Sequence, residues 1–450
     1  MRHIQDHRIS RRDFLRLWGT GLAAAGLGSL VGACGGGSQQ ELEMWWWGQQ
    51  EAKGLKGWLE QSISMYRKKN GVNVTTNLQD TGDVIPGFQR ASAANRAPDI
   101  QFFWNGIYHM ESVWQGYVEP LNGLVPAELR KSSNATVLSV YNGKQYRLGW
   151  YAVPLMWMYN KEMFDKAGLN ADAPPKTWDS MLDACDSLKS KGITPITGGL
   201  KDGYWGEWWM GHGLGQNLDA PADAARLFTG DLSWTEPRYY DHWSRLEQMW
   251  KSNYINENMN SIDLYPGIDL FNTEKGAMTQ VVGPLVPQTL STLGTEKVGL
   301  MVFPVFGEGK MAGRPIADAQ GLGISSQSAN KEGAAKFLEF LHTDERVQAL
   351  WKQVHQLPAD STWDGSVVSD PVIKEIWQRW MHGDNVAYIS NLMPTLFWND
   401  AMFVNSQKIV SGDFTGEQAG EKAESIAEKW RKENPDFVKR YNKWINDLTL

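Results

Sequence analysis

The sequence predicts an α/β protein built on sheets with crossover helices, and three observations carry that prediction. Short apolar, strand-like runs at 42–47, 72–78 and 99–104 alternate with helical stretches at 54–70 and 88–95. Strand, helix, strand, helix, strand is the order that a parallel sheet with crossover helices requires. With 450 residues, the chain has room for about three domain-equivalents or two large lobes, enough to bury a core without disulfides.

Each element has a local cause. The first run is apolar and stops at Gly48. The helix at 54–70 places Leu55, Trp58, Leu59, Ile63 and Tyr66 at helical spacing and ends at Asn70-Gly71, a C-cap signal. The run at 72–78 alternates and is rich in Val and Thr. The run at 99–104 follows a break at Ala97-Pro98. Ligands of such sheets gather beyond the carboxyl ends of the strands, where Trp46, Trp47, Trp104 and Asn105 fall. Residues 151–159, interrupted by Pro154, read as a crossing strand into a second region. Helices are expected at 161–167 and 178–191, the second with Thr177 as N-cap. A strand is expected at 193–197, an aromatic loop at 203–209, and strands at 277–282, 298–304 and 321–325. One amphipathic helix is expected over 333–354, and the remainder is mostly helical.

Composition excludes several classes. A net charge of −7 argues against nucleic acid as a partner, since phosphate binding wants a basic face. Two cysteines rule out a disulfide scaffold and a four-cysteine zinc site. Among the eight histidines the His-x-x-x-His spacing occurs only at His3 and His7, inside the segment 1–33, so no metal site is expected. The chain lacks the phosphate-loop pattern and Gly-x-Ser-x-Gly, so neither a nucleotide cofactor nor a catalytic serine is expected. The outlier is tryptophan, with 23 residues. A core needs few indoles, because each N–H requires a partner, so the excess suggests aromatic surface used for recognition.

Residues 1–33 read as an address. Ser10-Arg11-Arg12-Asp13-Phe14-Leu15 is a twin-arginine pattern, and an uncharged stretch leads to Leu30-Val31-Gly32-Ala33-Cys34, a lipoprotein box. Cleavage there leaves 39 basic and 49 acidic groups, net −10, and assigns Cys34 to a lipid anchor. Cys185 then has no disulfide partner and reads as a small buried hydrophobe. Residues 34–40 read as a flexible tether. No later segment is long and apolar enough to span a bilayer.

Several pieces, in order, resemble the extracellular solute-binding proteins, family 1, of carbohydrate ABC importers, the maltose-binding-protein-like lipoproteins. They are Ala97-Pro98-Asp99-Ile100, Tyr151-Ala152-Val153-Pro154, Tyr159-Asn160-Lys161-Glu162-Met163-Phe164 and Pro175-Lys176-Thr177-Trp178. Phe271-Asn272 through Gly276-Ala277-Met278, Gly283-Pro284, the helix from Ala334 to Leu341 and Leu357-Pro358-Ala359 continue the match. The resemblance implies a two-lobed periplasmic-binding-protein-like fold of type II, each lobe a mainly parallel sheet flanked by helices, with a hinge between. It implies a first lobe of 41–152 plus 302–352 and a second of 153–301 plus 353–450. It further implies a monomeric, non-enzymatic receptor outside the cytoplasm, membrane-held through Cys34, that delivers a sugar or oligosaccharide to ABC permease subunits. The rivals are a surface glycoside-active enzyme and a receptor for another solute, such as a glycerol phosphate diester.

A sugar offers C–H faces to indoles and hydroxyl edges to Asp, Glu, Asn and Gln. Both types meet at the predicted strand ends, in Trp46, Trp47, Gln49 and Glu51, and in Trp104 and Asn105. The aromatic loop adds Tyr204, Trp205, Glu207 and Trp208, whose tryptophans fit recognition and packing equally. By position in the resembling family, Asp318, Trp398 and the Gly-Pro turn with Gly283 and Leu285 also face the cleft. Many sugar-binding relatives carry an aromatic where this chain has Leu285. The Trp-Trp-Trp run at 45–47 alternates faces on a strand, so at least one of the three is expected in the core.

Overall fold

Alternation of apolar residues decides which face of the first strand is covered: Leu42, Met44 and Trp46 are buried. The computed structural model describes residues 41–133 and 137–448. Residues 1–40, on which the expected signal segment, the lipid site Cys34 and the expected tether fall, lie outside the described residues. In chain order the strands are β1 (Glu41–Trp46), β2 (Asn73–Leu78), β3 (Ile100–Phe103), β4 (Val118–Glu119), β5 (Val140–Tyr141), β6 (Lys144–Gln145) and β7 (Leu148–Ala152). There follow β8 (Leu155–Asn160), β9 (Met278–Val282), β10 (Val298–Met301), β11 (Ile316–Ala317), β12 (Ala319–Ser325) and β13 (Val386–Ala387).

One sheet runs β2-β1-β3-β12-β4 with β7 also paired to β12, and the other runs β10-β8-β11-β13 with β9 also paired to β8. The architecture is two-lobed α/β. The mainly parallel sheets expected in each lobe are not found: parallel pairing is confined to β2-β1-β3 and to β11-β13. In the two main sheets the other pairings are antiparallel. A parallel neighbour needs a long crossover, and β12 comes to the first sheet straight from β11 in the second, without a crossover helix.

The sheets are joined at two short links. β7 passes to β8 through Val153-Pro154, and β11 passes to β12 through Asp318 alone. The links lie side by side, since the Val153 N–H donates to the Asp318 carbonyl at 2.8 Å. A third passage runs beside them, where Tyr151 bridges to Pro358. Residues 302–317, expected with the first lobe, sit on the second sheet. Phe303 packs on Trp157, Trp178 and Trp209, and Ile316 pairs with Leu155.

The helix Leu55–Asn70 covers the first sheet with Leu55, Trp58, Leu59, Ser62 and Tyr66, and ends at Gly71 with φ 69°. The single helix expected over 333–354 is two, Lys331–Leu341 and Asp344–Val354. Thr343 is extended, with ψ 149°, and Asp344 and Glu345 follow it, which are start signals that favour a new helix over continuation. The strand expected at 193–197 is reduced to isolated bridges from Ile196 to Ile255 and Met278. The loop expected at 203–209 is the start of a helix, Tyr204–Leu214. Its glycines permit contact rather than flexibility: a Cβ on Gly206 would lie 2.5 Å from Ser406, and one on Gly213 2.5 Å from His242. Among the described residues no helix is long and apolar enough to cross a membrane.

Candidate functional site

A cavity of about 280 Å³ opens beyond the carboxyl ends of β1 and β3, beside the links. Trp47 follows β1 directly, and its indole N–H donates to the Thr81 hydroxyl at 2.9 Å. Gly48, with φ 123°, then lets the chain fold under Tyr151, whose hydroxyl would lie 2.4 Å from any Cβ there. That turn presents Glu51, whose Oε2 accepts from Tyr151 at 3.0 Å and from Gln320 at 3.1 Å. β3 leads to Trp104, edge-on to Trp47 at 5.3 Å. Tyr108 continues the wall from the next helix, and meets Trp398 at 4.6 Å.

The opposite wall comes from the helix Tyr204–Leu214 and from the irregular turn Trp398–Phe403, whose backbone winds as a π-helix. Such wide turns recur at functional sites. Tyr204 packs on Phe403 at 5.1 Å, Glu207 accepts from the Tyr388 hydroxyl, and Trp208 lines the floor. Rings therefore surround the cavity almost continuously, from Trp47 through Trp104, Tyr108 and Trp398 to Phe403 and Tyr204.

Asp318 sits where the two walls meet. Its Oδ1 accepts from Asn105 at 2.9 Å and from the Ala319 N–H at 2.8 Å, and its Oδ2 accepts from Asn391 at 2.6 Å. Burial pushes its carboxyl up, against the pull of the Arg147 guanidinium and these hydrogen bonds. Burial likewise pushes Glu51 up to about 7 and Glu207 up to about 8. Asp202 is raised by the same cause.

Of the residues named from sequence, Trp47, Glu51, Trp104, Tyr204, Glu207, Trp208, Asp318 and Trp398 line this cavity. The others do not. Trp46 is in the core, edge-on to Trp150 at 6.3 Å, and Trp45, expected on the side of Trp47, instead donates to Glu43 at the surface. Gln49 caps the following turn by accepting the Lys56 N–H at 2.7 Å. Asn105 is fully buried behind Asp318 and orients it. Trp205 is stacked on Trp209 at 5.4 Å inside the second lobe. Gly283 donates to the Pro154 carbonyl and Leu285 is in the core, so at this turn Val282 reaches the cavity in their place. Sequence reasoning missed Tyr108, Tyr265, Gln320, Tyr388, Asn391 and Phe403. Gln320 was accessible, because it is two residues beyond Asp318 on the same strand face. Among the described residues no group of three His, Cys, Asp or Glu could hold a metal ion.

A family model described as bacterial extracellular solute-binding protein matches residues 47–347. Among curated proteins, the chain is 29% identical over 217 residues to the sn-glycerol-3-phosphate-binding periplasmic protein UgpB of Escherichia coli (strain K12). That match spans 45% of this chain and 45% of the relative, so it covers less than half the length of either. Among solved structures, a chitin oligosaccharide binding protein superposes with TM-score 0.77 at 22% identity, over 87% of this chain and 99% of that one. A solute-binding protein from Thermotoga lettingae bound with α-D-tagatose superposes with TM-score 0.70 at 22% identity, over 87% and 99%.

Proposed function

The chain belongs to the bacterial extracellular solute-binding protein family, and from that premise we propose that it captures a sugar or short oligosaccharide in the cavity between its sheets for delivery to an ABC importer. The observation that carries this reading is the lining: aromatic rings on both walls, carboxyl and amide groups between them, and no Lys, Arg or His. Indole and phenol faces take the C–H faces of a sugar, and Asp, Glu, Asn and Gln take its hydroxyls. Solved relatives with this fold include proteins described as binding chitin oligosaccharide and tagatose. A cavity of about 280 Å³ is at the small end of the ~300–1,000 Å³ range of ligand pockets, which favours one or two sugar rings.

The UgpB likeness favours a second reading, a glycerol phosphate ligand. Phosphate sites place Arg, Lys or a helix N-terminus on the anion, and this lining offers only carboxyl groups as charged side chains. Delivery without chemistry follows from the receptor reading: a ligand touching both walls stabilises the closed form over the open one and shifts the population toward it. In the same reading Cys34 carries the lipid and 35–40 the leash. Palmitate labelling lost in Cys34→Ala would support that anchor, and labelling retained would remove it.

Calorimetry with mono- and disaccharides tests the main reading, with sn-glycerol 3-phosphate in parallel. A true ligand at a hundred times its Kd stabilises by about 2.7 kcal/mol and is recovered intact. Trp104→Ala should weaken binding by roughly tenfold or more, because it deletes a ring face of the wall. Binding of the phosphate ester with no saccharide would sink the sugar reading, and cleavage of a bound disaccharide would make the protein an enzyme.

A further inference from the structure

The cavity carries the carboxyl groups of Glu51, Asp202, Glu207 and Asp318 and no cationic side chain in its lining. These groups are not equally compensated. Asp318 is held by Asn105, Asn391 and the Ala319 N–H, with the Arg147 guanidinium acting on it. Glu51 accepts through Oε2, and its other oxygen has no hydrogen-bond partner among the described residues. Glu207 accepts from Tyr388 through Oε1, with the Ser390 side chain also acting on its carboxyl, and both partners are neutral. A carboxylate buried without a cation is costly.

A further feature points to what would occupy the space. The rings of Trp47, Trp104, Tyr108 and Trp398 line it, and aromatic faces attract an ammonium ion as well as C–H groups. A polyamine supplies the cation without the ring C–H faces, and a neutral sugar supplies those faces without the cation.

Building on the sugar-receptor reading, we propose that the cavity selects an amino sugar, its free amine received as an ammonium ion by the Glu51 or Glu207 carboxylate and its C–H faces packed on the indole and phenol rings. The raised carboxyls fit this arrangement, because an ammonium ion supplies the compensation that the lining residues do not.

The test is calorimetry on the ligand-free protein at one pH. Glucosamine, galactosamine, mannosamine and the glucosamine disaccharide are compared with their N-acetylated and hydroxyl counterparts. An amine should bind about tenfold tighter than both counterparts, since charge-assisted hydrogen bonds are roughly twice as strong as neutral ones. That advantage should shrink in Glu51→Gln or Glu207→Gln. Glu60→Gln removes the same charge from the exposed face of the helix Leu55–Asn70 and should leave the advantage intact. Preference for a neutral or acetylated sugar, or no binding of any amine sugar, overturns amine selectivity. The first of these outcomes leaves the sugar reading standing. Binding of spermidine or sn-glycerol 3-phosphate with no saccharide overturns both.

Discussion

Replacing Glu207 by glutamine isolates the pH cost of one buried carboxyl. Glu207 is 2% exposed and accepts from Tyr388; the Asp318 charge acts on it, and its own charge acts on Tyr108 and Tyr204. Burial lifts it from 4.5 to about 8, so the folded state holds a proton that the unfolded chain releases above pH 4.5. Its contribution to stability is therefore complete below pH 4.5 and is lost as pH rises through 8. At about 1.36 kcal/mol per pH unit, the window from 4.5 to 8 is worth on the order of 3–5 kcal/mol. Glutamine keeps the shape and an acceptor for Tyr388 but cannot ionise. Thermal unfolding of ligand-free protein from pH 5 to pH 9 reads the effect. In a chain of this size each kcal/mol moves Tm by roughly 1–2 °C. The variant should match the wild type near pH 5 and exceed it by about 3–10 °C near pH 9. Parallel curves across the whole range would refute the assignment of this carboxyl to a water-poor wall.

Two further substitutions probe other parts of the frame. Asp318→Asn replaces one acceptor oxygen by an NH2 donor that faces the donors of Asn105, Asn391 and the Ala319 N–H. With an unsatisfied buried group costing ~1–3 kcal/mol, denaturant unfolding should show a loss of about 2–4 kcal/mol; a loss below about 0.5 kcal/mol would contradict the hydrogen-bond assignment. Cys185 is fully buried, and burial pushes its thiol up. Native protein should therefore react with a disulfide reagent at least about a hundredfold more slowly than denatured protein, and equal rates would place the sulfur at the surface.

Much of the first lobe was legible because its signals are local. β1, β2, β3 and the helix Leu55–Asn70 follow from alternation, helical spacing and the Asn70-Gly71 stop. Trp47, Glu51 and Trp104 followed from a geometric rule about strand ends, without knowledge of tertiary contacts. The second wall was harder. Gly203 and Gly206 read as loop residues, whereas the structure uses Gly206, with Gly211 and Gly213, to let Ser406, Tyr388 and His242 press against the helix Tyr204–Leu214. That close packing also separates Trp205, turned inward to Trp209, from Trp208 at the cavity. Tyr388, Asn391 and Phe403 come from a C-terminal region of short irregular turns without strand or helix periodicity. Their placement depends on distant partners, such as the Tyr441 hydroxyl donated to the Leu392 carbonyl. No window of sequence around residue 391 contains that information.

The link through Asp318 is a single residue long, and its neighbour through Val153-Pro154 is two. Joints that short cannot stretch, so relative motion of the sheets reduces to rotation about a line through Val153 and Asp318. A rotation of about 10° moves an atom ~15 Å from that line by ~2.6 Å and an atom beside it hardly at all. Glu51 and Asp318, near the pivot, thus hold an almost constant grip. The far rims act as the long arm of a lever, and it is there that the length of a bound solute sets how far the jaws must open.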